Sequence, residues 1–174
     1  MSSKRNHQKT FTRRIRIREI NSSSGGLFLS IAKKFIEEFH GYVVGCILDE
    51  RHMAKHIMTN NLQEVFQMQG SKYVESDIEH IYYDIKEKLD ENKKVLFSGT
   101  PCQCASVKKF CREDKNLFCI DIVCHGVPSK KLWDKEIQNL QIQYDFDKIT
   151  FRYKDKYEKT GFSLSLYKNN KLIK

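Results

Sequence analysis

Two of the six cysteines, Cys102 and Cys124, stand where a thiol can be chemically active. Cys102 follows the apolar run Val95-Leu96-Phe97-Ser98 and the turn Gly99-Thr100-Pro101, in what the pattern predicts as the first turn of a helix. Pro101 suits the first helical position, because it has no N–H to leave unpaired and its φ is already helical. Free backbone N–H groups and the positive end of the helix dipole converge there. They favour the thiolate, the form that binds metal or attacks an electrophile. Cys124 closes residues 117–124, which read as a buried strand, and His125-Gly126-Val127-Pro128-Ser129 follows. Ser129 is the expected N-cap of a helix with Leu132, Trp133, Ile137 and Leu140 as its apolar stripe. Both cysteines therefore fall at the carboxyl ends of strands that feed helices. In a parallel sheet that edge is where ligands bind. The pair points to redox or metal chemistry, against the plainer reading in which Cys124 merely ends a core strand.

The surrounding residues leave several roles open. Gln103 can hydrogen-bond the polar edge of a bound ring, or it is a solvated helix residue. Cys104 lies two residues beyond Cys102, so on a helix the two side chains diverge by roughly 200°. One ion is not expected to use both. A tetrahedral zinc site of Cys102, Cys104, Cys124 and His125 lacks the support of a Cys-x-x-Cys pair. His125 fits a proton donor, a ligand or a loop histidine. Cys46, Cys111 and Cys119 fall within apolar patterns and read as core. Ser22-Ser23-Ser24-Gly25-Gly26 reads either as an anion cradle at a helix start or as an ordinary N-cap. Gly70-Ser71-Lys72-Tyr73 offers a cation and an aromatic ring to a nucleotide, or is simply surface.

The elements that position these residues follow from periodicity. A helix from Gly26 is predicted by the spacing of Phe28, Ile31, Ala32, Phe35, Ile36 and Phe39, with Gly41 as its stop. Residues 42–48 form an apolar run of strand length, a second strand lies near His56-Ile57-Met58, and a short helix covers about residues 62–69. Ser76-Asp77-Ile78-Glu79 has the form of a capping box for a helix running to about Leu89. The two cysteine-bearing strand–helix units come next, and residues 149–153 and 162–167 alternate like hairpin strands. The fold class is α/β: a largely parallel sheet with flanking helices, ending in a partial β-hairpin region.

The 174 residues suit one domain, and 40% hydrophobic content is ordinary for a soluble globular protein. Residues 1–12 read as a flexible basic lead-in and 13–174 as a single α/β domain, expected to be incomplete at its C-terminus. No apolar run reaches the length of a membrane span and no signal-peptide core is present, which places the chain in the cytoplasm. Six cysteines in that compartment argue for metal, redox or core roles rather than a disulfide framework. The net charge of +9 is concentrated in residues 1–20, which hold seven Lys or Arg against Glu19 alone. Nucleic-acid binding is not expected, because Ile15, Ile17 and Ile20 alternate with the arginines and no binding module accompanies them.

Four motifs in order carry a family resemblance: Ser-Ser-Ser-Gly-Gly at 22–26, Gly-Ser-Lys-Tyr-Val-Glu-Ser-Asp at 70–77, Val-Leu-Phe-Ser-Gly-Thr-Pro-Cys-Gln at 95–103 and Asp-Ile-Val-Cys-His-Gly-Val-Pro-Ser at 121–129. Phe151-Arg152-Tyr153-Lys154 and Gly161-Phe162 extend it. Over residues 13–170 the chain resembles the coenzyme F-420 hydrogenase/dehydrogenase beta-subunit family. The resemblance implies a flavoprotein, usually with FAD, that passes electrons between the flavin, an iron–sulfur (4Fe-4S) cluster and a partner protein or coenzyme F-420 as deazaflavin substrate. The implied partner is ferredoxin-like or a hydrogenase or dehydrogenase subunit. By the same resemblance Cys102 and Cys124 match cluster ligands. Ser24, Gly25, Gly26, Ser71, Lys72, Tyr73, Gly99 and Thr100 match stretches near the flavin, with Pro101, Gln103, His125 and Gly126 beside the cysteines as further cofactor-site candidates. Two departures stand out: no ferredoxin-like cysteine cluster precedes Cys46, and the chain stops before the Cys-x-x-Cys pair into which family members continue. A four-iron cluster needs about four thiolates, so a second expectation is a cofactor-poor accessory protein associated with polysaccharide biosynthesis.

Overall fold

The computed structural model describes residues 26–78, 80–152 and 163–174. Helix α1 (Leu27–Phe39) leads into a hairpin of β1 (Tyr42–Leu48) and β2 (Ala54–Thr59). Helices α2 (Leu62–Gln67) and α3 (Ile81–Asp90) follow, then β3 (Val95–Gly99), α4 (Pro101–Phe110), β4 (Leu117–Asp121) and α5 (Lys130–Gln143). Three short strands end the chain: β5 (Lys148–Thr150), β6 (Ser165–Lys168) and β7 (Lys171–Leu172). The main sheet has the order β2-β1-β3-β4, with β1, β3 and β4 parallel and β2 antiparallel to β1. Strands β5, β6 and β7 make a separate antiparallel sheet. The expected α/β class and terminal hairpin are therefore present, with β7 as an added strand. Tyr153, Lys154, Gly161 and Phe162 lie outside the described residues, as do residues 1–25 with Ile15, Ile17, Ile20, Ser24 and Gly25.

Alternation along the strands divides the core between the two faces of the sheet. Val43 and Leu96 pack with Leu29, Ala32 and Phe35 of α1 and Val65 of α2. Val44, Val95 and Phe97 point the other way, against Ile81, Ile85 and Leu89 of α3 and Cys104 and Val107 of α4. A third cluster joins Trp133, Ile137 and Leu140 of α5 to Ile149, Phe151 and Leu166 of the small sheet. Trp133 Nε1 donates to the His52 carbonyl at 2.9 Å, which ties α5 to the β1–β2 turn.

Several boundaries differ from the sequence pattern, each for a tertiary reason. The Ser76 capping box does not form: α3 begins after His80, which gives no side-chain cap. Residue 77 is instead drawn into an extended pairing with β2, His56 N–H donating to Asp77 O and Asp77 N–H to Ala54 O, both at 2.8 Å. His40, not Gly41, takes the left-handed cap of α1 at φ 49°. Gly41 is required for space, because a Cβ there would collide with the Phe35 ring. Helix α2 ends at Gln67 rather than Gln69. Leu132, placed in the apolar stripe of α5, is exposed, while Trp133, Ile137 and Leu140 are buried. Strand β4 stops at Asp121 and is not buried: among the described strands nothing pairs with its outer side, and Phe118 and Ile122 are exposed.

Candidate functional site

Strands β1, β3 and β4 present their carboxyl ends at one edge of the main sheet. At the end of β3, Pro101 occupies the start of α4 and Thr100 is its N-cap, in a reciprocal capping box with Gln103. Gly99 allows the tight exit from the strand: a Cβ there would sit 2.6 Å from the Phe97 ring and 2.9 Å from Gln103 Oε1. Cys102 is exposed in the first turn, its Sγ 3.1 Å from Thr100 Oγ1. Cys104 lies on the opposite side of α4, buried to 1% exposure, as the helical divergence of the two positions requires.

Gln103 is neither solvated nor free to meet a ring. Its Oε1 accepts from Thr100 N–H at 3.0 Å and its Nε2 donates to Ser76 Oγ at 2.9 Å. Ser76 belongs to the motif at 70–77, and that segment also reaches the loop after β4. Glu75 N–H donates to Pro128 O at 3.1 Å, Lys130 N–H donates to Glu75 Oε2 at 3.1 Å, and Lys130 Nζ pairs with Asp77 at 2.8 Å. That loop carries Cys124, His125 and Gly126, all exposed. Gly126 adopts φ 102° and turns its N–H onto Cys124 Sγ at 3.4 Å. Three of the four sequence motifs are thereby joined by hydrogen bonds, with residues 75–77 as the bridge between the two cysteine loops. Ser129 caps α5, accepting from Leu132 N–H at 3.3 Å.

The first residues of the bridging segment face a different space. Gly70, Ser71 and Lys72 line a cleft of about 820 Å³ between the β1–β2 turn, the end of α2 and the small sheet. Phe66, Phe151 and Tyr167 supply aromatic wall. Gln69 Nε2 and Thr150 Oγ1, from residues on opposite sides of the cleft, are buried without a hydrogen-bond partner among the described residues. Lys72 is not a surface lysine. Its ammonium donates to the Gln67, Met68 and Gln69 carbonyls at 3.3, 3.0 and 2.9 Å, and closes the end of α2. Burial brings its pKa down to about 8, and Cys46 beside it partly offsets this. Tyr73 is exposed and meets Phe151 edge-on. Gly26, the described part of the first motif, takes φ 72° ahead of α1.

His56 has no counterpart among the candidates that the sequence offers. It is 8% exposed and stacked on Phe97, with ring centroids 5.3 Å apart. Its Nε2–H donates to Ser98 O at 3.1 Å, and Nδ1 has no partner among the described residues. Burial lowers its pKa to about 4. Cys46, opposite it in register, is half-buried rather than fully core, and desolvation raises its thiol to about 11. No local pattern marks a buried histidine within a strand.

The six cysteines are all free thiols. Cys119 packs against the buried cluster that contains Cys104, and the Cys104 thiol is pushed well above its ordinary range, first by the neighbouring Cys119 and then by burial. Cys111 is buried, and Cys119 is half-buried in the exposed strand β4. Among the described residues no group of three or more His, Cys, Asp or Glu side chains is arranged to hold a metal ion. Cys102 and Cys124 by themselves do not fit a four-iron cluster, which needs about four ligands. A flavin fits better: the cleft lies within the ~300–1,000 Å³ usual for small-molecule sites and combines aromatic wall with an unsatisfied amide and hydroxyl.

Residues 92–171 match the family model for the C terminus of the beta subunit of Coenzyme F420 hydrogenase/dehydrogenase. Over that segment the chain is similar to the C-terminal part of coenzyme F-420 hydrogenase/dehydrogenase beta subunits. The match takes in both cysteine loops, α5 and the small sheet. Among solved structures, a chain of the F420-reducing NiFe hydrogenase complex from Methanosarcina barkeri superposes with a TM-score of 0.59 at 18% identity, over 85% of this chain. The protein spans about half of that chain, 52%. No curated protein matches it significantly. Among the described residues no helix is long and apolar enough to cross a membrane.

Proposed function

We propose that this protein is a member of that family, a flavin-binding oxidoreductase or electron-transfer subunit, with FAD in the cleft between the two sheets and a redox protein as partner. The observation that carries this reading is the segment 70–77. Its first residues line the cleft, and its last residues are hydrogen-bonded to both cysteine loops. A bound flavin supplies hydride or single-electron transfer, and the protein orients it and tunes its potential. Gln69 and Thr150 offer donors to the polar edge of a ring, while Phe66, Phe151 and Tyr167 exclude water from its faces. Lys72 holds the Gly70–Ser71 turn in place through its three carbonyl contacts. Its lowered pKa makes it a candidate for proton exchange at the cleft near neutral pH. Coenzyme F-420 is the proposed substrate class, and a ferredoxin-like, hydrogenase or dehydrogenase subunit the proposed partner. Cys102 and Cys124 alone do not complete an iron–sulfur cluster.

Anaerobic purification followed by an absorbance spectrum and titration with FAD tests the reading. Stoichiometric flavin, weakened by Thr150→Val and Gln69→Leu, supports it. A protein that neither retains nor rebinds FAD overturns it. The second reading is an accessory protein associated with polysaccharide biosynthesis; its motivation is that no group of three or more His, Cys, Asp or Glu side chains converges on a metal site among the described residues. It predicts a stable fold with neither flavin nor iron.

A further inference from the structure

Cys104 and Cys119 make a second thiol pair, separate from the exposed Cys102 and Cys124. Cys104 Sγ lies 3.6 Å from the carbonyl oxygens of Gly99 and Ile120, so it is wedged against β4 beside residue 119. Cys119, next to Ile120 on β4 and opposite Phe97 in register, packs against the same buried cluster as Cys104. Neither is in a disulfide. Cys119 is the accessible member: it is half-buried, on a strand whose outer side no described strand covers, and Lys108 places a positive charge near it. A half-buried cysteine shifted toward the thiolate by the neighbouring Cys104 and by Lys108, with that second thiol packed in the same cluster, is the arrangement of a cysteine that is oxidised and then resolved.

We propose that Cys104–Cys119 is an oxidation site for a hydroperoxide, which converts the pair to a disulfide stapling α4 to β4. In the first step the Cys119 thiolate attacks the peroxide. An S–O bond forms, the O–O bond breaks, and the leaving alkoxide or hydroxide takes up a proton. Cys119 becomes a sulfenic acid and the peroxide is reduced by two electrons. In the second step the Cys104 sulfur attacks Cys119, the S–S bond forms, the S–O bond breaks, and water leaves with the Cys104 proton. The thiols together lose the two electrons that the peroxide gains. A dithiol reductant reverses the change. The staple closes directly behind the turn that presents Cys102, so it fixes the start of α4 against the sheet. The inference does not depend on flavin binding.

The test uses the full chain, treated anaerobically with a small excess of hydrogen peroxide, alkylated and digested with trypsin without reduction. Cleavage after Lys108, Lys109, Arg112 and Lys115 separates the peptides of Cys104, Cys111 and Cys119. Because Cys102 and Cys124 share two of those peptides, the digest is also made on Cys102→Ser/Cys124→Ser. The expected result is a peroxide-dependent Cys104–Cys119 peptide that dithiothreitol removes and that Cys119→Ser lacks. In the unaltered chain, loss of the alkylatable Cys104 and Cys119 thiols should accompany it. A link from Cys119 to Cys111 instead, Cys119 sulfinic acid without any link, or full retention of both thiols would overturn the proposal.

Discussion

Lowering the pH from 7 to 4 forces a proton onto His56 in a place built for the neutral ring. Nε2–H already donates to Ser98 O at 3.1 Å, so the added proton goes to Nδ1, which is buried with no acceptor among the described residues. Burial is the main cause of the lowered pKa of about 4, and the Lys72 charge adds to it, partly against the Ser98 hydrogen bond. In the unfolded chain the same ring titrates near 6.5. Between those values the unfolded state binds more protons, so stability is full above pH 6.5 and falls as the pH drops toward 4. At 1.36 kcal/mol per pKa unit, the loss reaches about 2 kcal/mol by pH 5 and about 3 kcal/mol by pH 4. For a chain of this size that is roughly 6–12 °C in Tm. Urea melts of the wild type and His56→Phe at pH 7, 6, 5 and 4 isolate the effect. The variant starts lower, having lost the donor to Ser98 O, but lacks this part of the slope. His52, also lowered by burial, and the carboxylates contribute equally to both proteins. Parallel slopes for the two, or an NMR titration of His56 centred near 6.5, would refute the reasoning.

The Gln103 amide holds two loops at once, so Gln103→Leu should lose about 1–3 kcal/mol, from the cap and from the contact to Ser76. Gln103→Glu, which keeps the acceptor for Thr100 N–H and can accept from Ser76 Oγ, should recover most of it in the same urea melts. Gly99→Ala introduces a Cβ 2.6 Å from the Phe97 ring. It should cost about 1–3 kcal/mol by overpacking, read as a lower denaturation midpoint with an unchanged urea m-value.

The strand–turn–helix units around Cys102 and Cys124 were legible because their signals are local. Pro101 at the first helical position, Ser129 as a cap and the alternation of Val95, Leu96 and Phe97 each depend on neighbours within one or two turns of chain. The divergence of Cys102 and Cys104 is equally a matter of helical geometry. Ser76 shows where such reading stops. Its segment has the form of a capping box, yet the pairing of residue 77 with β2 outweighs local propensity and moves the helix start to Ile81. Strand β4 shows the converse: an apolar run predicts burial, but exposure depends on whether another strand arrives at its edge.

By itself the sequence determined the α/β class, the order of the motifs and the two cysteine-bearing turns. The tertiary structure alone decided that Gln103 reaches Ser76 across 27 residues, His56 reaches Ser98 across 42 and Trp133 reaches His52 across 81. It also turned the Lys72 ammonium onto the carbonyls that end α2. Composition and periodicity record what each residue prefers over a turn of helix or a pair of strand positions. Which buried donor meets which acceptor is fixed only when distant segments pack, because burying a polar group without a partner costs more than local propensity can offset.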